Sequence, residues 1–206
     1  MLDTSKPFYF ERHLINEYKI MSSSSVSLNL VMRNPDEDQK LVEQSIAGNR
    51  DSFKELFMKN VNRVHSLCLK ISADINLAED LTQEVFIKAW EKLDTFKFEC
   101  KFSTWLHSIA VNLFLMHTRS DKRYTEKLSG YTAEENAGSK NATQDLKIDL
   151  QKAINKLPAQ AKAVLVLHDI EGYKHNEISE MMSIQTGTSK AHLHRARRIL
   201  REELSK

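Results

Sequence analysis

The chain has 206 residues, 41% apolar and 28% charged, which predicts a soluble protein with room for one domain or two small ones. A formal net charge of only +2 means that any nucleic-acid interface must lie in the distribution of charge. Two cysteines without a CxxC motif argue against a zinc site or a disulfide framework, and no run approaches about 18 apolar residues, so no direct membrane insertion is expected. Few Gly and Pro residues favour long helices.

The N-terminal part of the chain is predicted to form a helical bundle after a disordered start. Residues 1–35 follow no clean period and are interpreted as a poorly ordered N-terminal extension. Asp36–Arg50 predicts a short helix that ends at Gly48. A second helix begins near Asp51 with apolar residues at i, i+3, i+4 and i+7, and Cys68 lies on this stripe as a small buried hydrophobe.

Two further helices complete this predicted domain, which spans residues 36–121. After a turn at Ser72–Leu77, the third helix covers Ala78–Leu93, within the acidic stretch Ala78–Asp94, which has five acidic and two basic side chains. The fourth covers Ser103–Arg119, with Ser103 or Thr104 as its N-cap. An acidic helix suits a basic protein partner.

Aromatic and basic residues alternate just before the fourth helix, an arrangement that suits unpaired nucleic acid. Phe96 and Phe98 are expected to contact DNA, whereas Phe102 and Trp105 fall on the apolar stripe and are expected in the core. The positions off that stripe, expected to face outward, are His107, Ser108, Val111, Asn112, Leu115 and Arg119.

The C-terminal part is predicted to be a second small helical domain, residues 145–206, joined to the first by a flexible linker at residues 122–144. Its predicted helices cover Asp145–Leu157, Ala161–Ile170, His175–Met182 and Gly187–Glu203. The predicted fold class is therefore all-α with two domains.

The last two predicted helices form a helix-turn-helix motif, in which the second helix reads duplex DNA. Between Gly187 and Arg201 there are five basic side chains and no acidic one. Ser183 stands where such turns prefer Gly, and Ser189 stands where an apolar residue would pack inward. The residues expected to face bases or phosphates are Thr186, Thr188, Ser189, Lys190, His192, Arg195 and Arg198.

Four motifs, spread over the two predicted domains, resemble those of bacterial RNA polymerase sigma factors of the extracytoplasmic-function (ECF) group. They are DLTQEVF at Asp80–Phe86, KFSTWL at Lys101–Leu106, IAxN at Ile109–Asn112, and the stretch from Glu171 to Arg197 that begins EGY and contains EISE and GTSKAHLHRAR. The resemblance covers residues 39–203.

The resemblance implies a role for each surface. The acidic helix would dock on core RNA polymerase through Asp80, Gln83, Glu84 and Ile87. The −10 element would be read and melted by Lys97, Lys101, Ser103, Thr104, Asn112 and Arg119. The C-terminal helix would read the −35 element as duplex. The resemblance also implies an anti-sigma factor as partner. A cytoplasmic location, in a bacterium, is expected because the sequence shows neither a membrane span nor a convincing secretory signal. Val111 departs from the family, which often has a basic residue there.

Other functions explain fewer features of the sequence. A helix-turn-helix regulator that acts without core polymerase would need a sensor or receiver domain, and residues 1–121 show no pattern for one. An enzyme is not indicated, because there is no Gly-rich phosphate loop, nucleophile elbow or HExxH motif; no catalytic residue, metal ligand or cofactor is predicted. A helical adaptor would leave the two separate basic surfaces unexplained.

Overall fold

A computed structural model of the chain describes residues 35–128, 153–154 and 156–205, with side chains from residue 38 to 120 and in the C-terminal segments. Within those ranges every regular element is a helix, which agrees with the predicted all-α class, and none is long and apolar enough to cross a membrane. The predicted extension, residues 1–35, lies outside the described residues except for Pro35, and so do most of the predicted linker and most of the predicted helix Asp145–Leu157. The α-helices are α1 Pro35–Ile46, α2 Arg50–Ser72, α3 Ile75–Glu91, α4 Phe102–Leu128, α5 Ala159–Leu165, α6 His175–Met182 and α7 Thr186–Leu204.

Side-chain caps fix where α2 and α3 begin. The Oδ1 atom of Asn49 accepts hydrogen bonds from the backbone N–H groups of Asp51 at 3.0 Å and Ser52 at 3.2 Å. Asp74 caps α3 in the same way, accepting from the N–H of Leu77 at 2.8 Å. The predicted turn at Ser72–Leu77 was therefore too long, because Asp74 starts the helix before the acidic stretch.

Helix α2 forms the centre of the N-terminal bundle and packs against α1, α3 and α4. Edge-to-face ring pairs hold it against α3: Phe57 with Phe86 at 4.7 Å and Phe53 with Trp90 at 4.8 Å between centroids. Cys68 is fully buried, and this burial raises the pKa of its thiol to about 12. Its prediction as a small buried hydrophobe is confirmed.

Helix α4 differs from its prediction at both ends. It begins at Phe102, so Ser103 and Thr104 lie in its first turn and not at its N-cap, and it continues to Leu128, past the predicted end at Arg119. It is also buried on two faces. The face bearing Leu106 and Ala110 is in the core as predicted, but the face bearing His107, Val111 and Leu115, predicted to point outward, is buried as well. The second face is covered because the C-terminal helices pack against α4.

The C-terminal half contains a π-helical turn that the sequence pattern did not predict. The helix predicted over Ala161–Ile170 is α-helical only to Leu165 and then widens into a π-helical turn at Val166–Ile170. Between α6 and α7, Ser183 has a φ of +52°, the left-handed conformation for which such turns prefer Gly. A short 3₁₀ turn, Leu93–Thr95, links α3 to the loop before α4.

Candidate nucleic-acid interface

The residues predicted to bind polymerase share one face of α3. Asp80, Gln83, Glu84 and Ile87 follow the i, i+3, i+4, i+7 spacing that aligns side chains on a helix. Asp80 is exposed and the other three are half-buried. Two carboxylates beside an apolar side chain give a surface that suits a basic, partly apolar partner.

The loop before α4 is built on an aromatic cluster. The Phe96 ring lies 4.9 Å from Phe98, 5.6 Å from Phe102 and 5.3 Å from Trp105, measured between centroids. Phe96 is buried, so the expectation that it contacts DNA is wrong for this conformation; it holds the loop in place.

Phe98 is the aromatic side chain that the loop presents to solvent. It is 39% exposed and has a φ of +61°, which is rare for a bulky residue and indicates a conformation held by its surroundings. Lys97 and Lys101 lie on either side of it and are both exposed. The loop therefore offers one ring and two cations, as the sequence pattern predicts for a surface that meets unpaired bases.

The remaining predicted −10 residues, all on α4, are not equally accessible. Arg119 is exposed, Thr104 is half-buried and Ser103 is buried. Asn112 donates from Nδ2 to the backbone oxygen of Ser108 at 2.8 Å and of Met181 at 2.9 Å. In this conformation Ser103 is almost covered, and Asn112 is exposed but its amide N–H groups are already bonded within the chain.

The bond from Asn112 belongs to a larger interdomain contact between the N-terminal bundle and the C-terminal helices. The Tyr173 hydroxyl and Nδ1 of His107 are 2.9 Å apart, and Nζ of Lys70 pairs with Oε1 of Glu171 at 2.7 Å. Burial raises the pKa of the Tyr173 hydroxyl above its ordinary value. The apolar side chains buried on the facing helices α4 and α6 include Val111, Leu115, Met181 and Met182.

Helix α7 presents most of the predicted −35 residues to solvent. Thr186, Thr188, Lys190, Arg195 and Arg198 are exposed, and His192 is half-buried. Burial, followed by the nearby Arg195 charge, lowers the pKa of His192. Together these side chains form a basic surface that fits the phosphates and base edges of duplex DNA.

Ser189 does not lie on that surface. It is fully buried, with its hydroxyl 2.9 Å from Nδ1 of His175, so its place among the DNA-facing residues was wrong. Arg197, which lies on the same basic helix, forms two hydrogen bonds with Asp169: Nη2 to Oδ1 at 2.6 Å and Nε to Oδ2 at 3.1 Å. Arg197 first, then His168, holds the pKa of Asp169 below its ordinary value. No sequence pattern indicated this pairing.

Comparison with protein families matches both halves of the chain. The family model for Sigma-70 region 2 matches residues 56–124, and that for Sigma-70 region 4 matches residues 147–200.

Among the described residues, no group of three or more His, Cys, Asp and Glu side chains could hold a metal ion.

Known proteins similar to the chain are sigma factors. ECF RNA polymerase sigma factor SigW of Bacillus subtilis (strain 168) is 32% identical over 179 residues, which cover 81% of this chain and 96% of that protein. ECF RNA polymerase sigma factor SigE of Mycolicibacterium smegmatis is 35% identical over 161 residues, covering 75% of this chain and 62% of that protein.

A similar solved structure is the sigma factor RpoE of Bartonella quintana in complex with the anti-sigma factor NepR. It has a TM-score of 0.61 and 28% identity, covering 74% of this chain and 96% of the RpoE chain. The matched regions and the overall likeness agree with the motifs, the acidic face of α3 and the basic surface of α7. The chain therefore belongs to the ECF family of RNA polymerase sigma factors.

Proposed function

We propose that this chain binds core RNA polymerase and directs promoter recognition, −10 melting and transcription initiation at its own set of promoters. The observation that carries this proposal is the presence, in one chain, of region 2 and region 4 matches with a separate candidate DNA surface in each. Two DNA readers in one chain hold two promoter elements at once, and the second contact benefits from a high effective concentration. The chain supplies binding, and the chemistry of RNA synthesis belongs to the polymerase.

In this proposal, residues 36–121 act as region 2 and residues 145–206 as region 4. Region 2 docks on core polymerase through the α3 face that carries Asp80 and Glu84. The loop with Phe98, Lys97 and Lys101 then meets the unpaired non-template strand of the −10 element. The exposed ring at Phe98 and the two flanking cations support this role.

The interdomain contact bears on when the −10 surface becomes available. Because Nδ2 of Asn112 donates to the backbone oxygen of Met181, that N–H group becomes available to DNA only when region 4 moves away. The structure thus corresponds, in this proposal, to the chain before it binds a promoter. The similar RpoE structure contains a bound anti-sigma factor, and we propose that a protein of that class also binds this chain, in the bacterial cytoplasm where polymerase acts.

Transcription with purified components tests the proposal directly. Run-off transcription would be measured with core polymerase on fragmented genomic DNA of the source organism, with and without the chain. We expect discrete transcripts that require the chain, and their start sites should align to reveal both promoter elements. DNA binding that needs no polymerase, without new transcripts, would instead support a conventional helix-turn-helix regulator.

Replacing Arg195 with alanine should weaken binding to the −35 duplex, because Arg195 is exposed on α7 beside the other basic residues. The loss is expected to be about 1 kcal/mol or more and to shrink as salt rises, since one fewer counterion is released. Binding of the polymerase complex to the recovered promoter would be titrated at several salt concentrations. His194→Ala, an exposed change on the same helix that removes no fixed charge, is the matched control. An unchanged salt slope for Arg195→Ala would remove this residue from the phosphate contacts.

A further inference from the structure

Helix α7 is tied to the rest of region 4 by a continuous polar network, here called the histidine relay. The Ser189 hydroxyl lies 2.9 Å from Nδ1 of His175, and the His175 ring stacks on His168 with centroids 4.5 Å apart and planes 27° apart. Nδ1 of His168 lies 2.7 Å from Oδ1 of Asp169, which also accepts from Nη2 of Arg197 at 2.6 Å. The relay therefore links two residues of α7, Ser189 and Arg197, through His175 of α6 and through the π-helical turn.

The first anchor of the relay, Ser189, fixes how closely the N-terminal, DNA-facing end of α7 packs against α6. Ser189 is fully buried between Thr188 and Lys190, whose side chains are exposed. A buried hydroxyl requires a hydrogen-bond partner, and His175 provides one. The hydrogen bond between Ser189 and His175 therefore helps to keep the side chains of Thr188 and Lys190 directed toward solvent.

The second anchor fixes the rotation of the helix. Arg197 follows Ser189 by two helical turns, about 12 Å along the axis. Its two bonds to Asp169 are a fork geometry that tolerates little rotation of the guanidinium. The π-helical turn carries both Asp169, which bonds Arg197, and His168, which stacks on His175, so one element is linked to both anchors of α7.

The charges around the two stacked histidine rings favour the neutral form of His175. A carboxylate only accepts hydrogen bonds, so Nδ1 of His168 donates to Asp169. A positive charge on His175 would face His168 from the π-helical turn and Lys190 and Arg197 from α7, opposed only by Asp169. These are the groups whose charges act on His175. On the other helix that packs against α6, the interface histidine is His107, which pairs with Tyr173.

We propose that His175, His168 and Asp169 are positioning residues for −35 recognition, and that this recognition weakens in acid because a positive charge on His175 is repelled by the groups that the docked α7 and the stacked His168 hold around it. This inference rests on the proposed function of region 4 as the −35 reader. It is opposite in sign to the general expectation that a protein binds DNA more tightly as its histidines become positive.

The direction of the pH effect follows from how His175 titrates. Burial first, then the charges of His168, Lys190 and Arg197, lowers the pKa of His175 below its ordinary value. The undocked form therefore takes up the proton first. The stabilisation is complete above about pH 6.5 and is lost as pH falls below that value toward the lowered pKa.

The test compares promoter binding by the polymerase complex of the full chain at about pH 7.5 and about pH 5.8, at constant ionic strength. His175→Asn keeps a side-chain group that can bond Ser189 but does not titrate. His194→Asn changes an exposed histidine of α7 outside the relay and is the matched control. The promoter fragments are those recovered by run-off transcription.

We expect the wild-type chain and His194→Asn to lose several-fold in affinity on acidification, up to about fivefold, beyond the change shown by His175→Asn. His175→Phe should bind weakly at both pH values because it leaves the buried Ser189 hydroxyl without its hydrogen bond to His175. Adding Ser189→Ala to it should restore binding and give a flat pH profile, since two apolar groups then pack together. Wild-type binding that is unchanged or stronger in acid, or a His175→Asn profile identical to the wild type, would overturn the proposal.

A measurement without DNA separates failure of the relay from failure of the proposed function. Imidazole resonances of the full chain would be followed by NMR through the same pH range. His175 should titrate below its ordinary pKa, and His168→Gln should shift its midpoint upward by removing a neighbouring charge. If His175 titrates at its ordinary pKa and this midpoint does not change in His168→Gln, the relay proposal is wrong, even if the chain proves to be an active sigma factor.

Discussion

Arginine at position 111 is expected to separate region 4 from region 2 and to free the −10 surface. Val111 is fully buried on the face of α4 that also carries His107, which bonds Tyr173 of the C-terminal half. The acidic side chain that the contact contains, Glu171, already pairs with Lys70, and burying a guanidinium without a partner of its own is unfavourable by about 3–5 kcal/mol. The interdomain contact can avoid this penalty by opening, because the arginine then reaches water.

Two observables would report the opening. Small-angle scattering should give a larger radius of gyration for Val111→Arg, and amide hydrogen exchange should speed up in α6. Met116→Arg adds the same charge at an exposed position of the same helix and should change neither. Tyr173→Phe removes one interdomain hydrogen bond and should shift the equilibrium in the same direction by about 1 kcal/mol. A compact Val111→Arg chain with native exchange rates would contradict the expectation.

Reversing the charge of Asp80 is expected to have the largest effect on polymerase binding. Asp80 is the exposed N-terminal member of the α3 face that carries Gln83, Glu84 and Ile87, so an arginine there replaces attraction by repulsion toward a basic partner. We expect affinity for core polymerase to fall by at least about tenfold, with the larger loss at low salt. Because the side chain is at the surface, the circular dichroism spectrum and melting temperature should stay native.

The matched control for that experiment is Asp94→Arg. Asp94 is equally exposed but lies in the 3₁₀ turn beyond the end of α3, away from the proposed docking face. Competition binding against labelled wild-type chain gives both affinities in one assay. If Asp80→Arg binds core polymerase as well as Asp94→Arg while both remain folded, the docking face lies elsewhere.

The helices were predictable because their signals are local. The apolar periods of α2, α3 and α6, the turn at Gly48 and the acid-free basic stretch of α7 are all readable from the sequence, and the structure agrees with them. The missed start of α3 was also local, since Asp74 is a favourable N-cap residue. The exposed −35 candidates follow from the same periodicity.

The features that could not be predicted depend on what packs against a helix from far along the chain. Val111 and Leu115 were assigned to an outer face because periodicity gives a helix one buried stripe, whereas α4 is covered on two sides. Ser189 was recognised as standing at an apolar position, but its partner His175 lies on another helix. The π-helical turn left no mark in the pattern, because it widens the helix by a single residue per turn.

The order in which the chain is synthesised gives the interdomain contact one more consequence. Val111 and Leu115 leave the ribosome well before Met181 and Met182, which help to cover their face of α4. At roughly 5–20 residues per second, several seconds separate the two events. During that interval a folded region 2 displays its acidic α3 face and an uncovered apolar stripe on α4. The nascent chain can therefore meet polymerase, or a chaperone, before the half that closes over it exists.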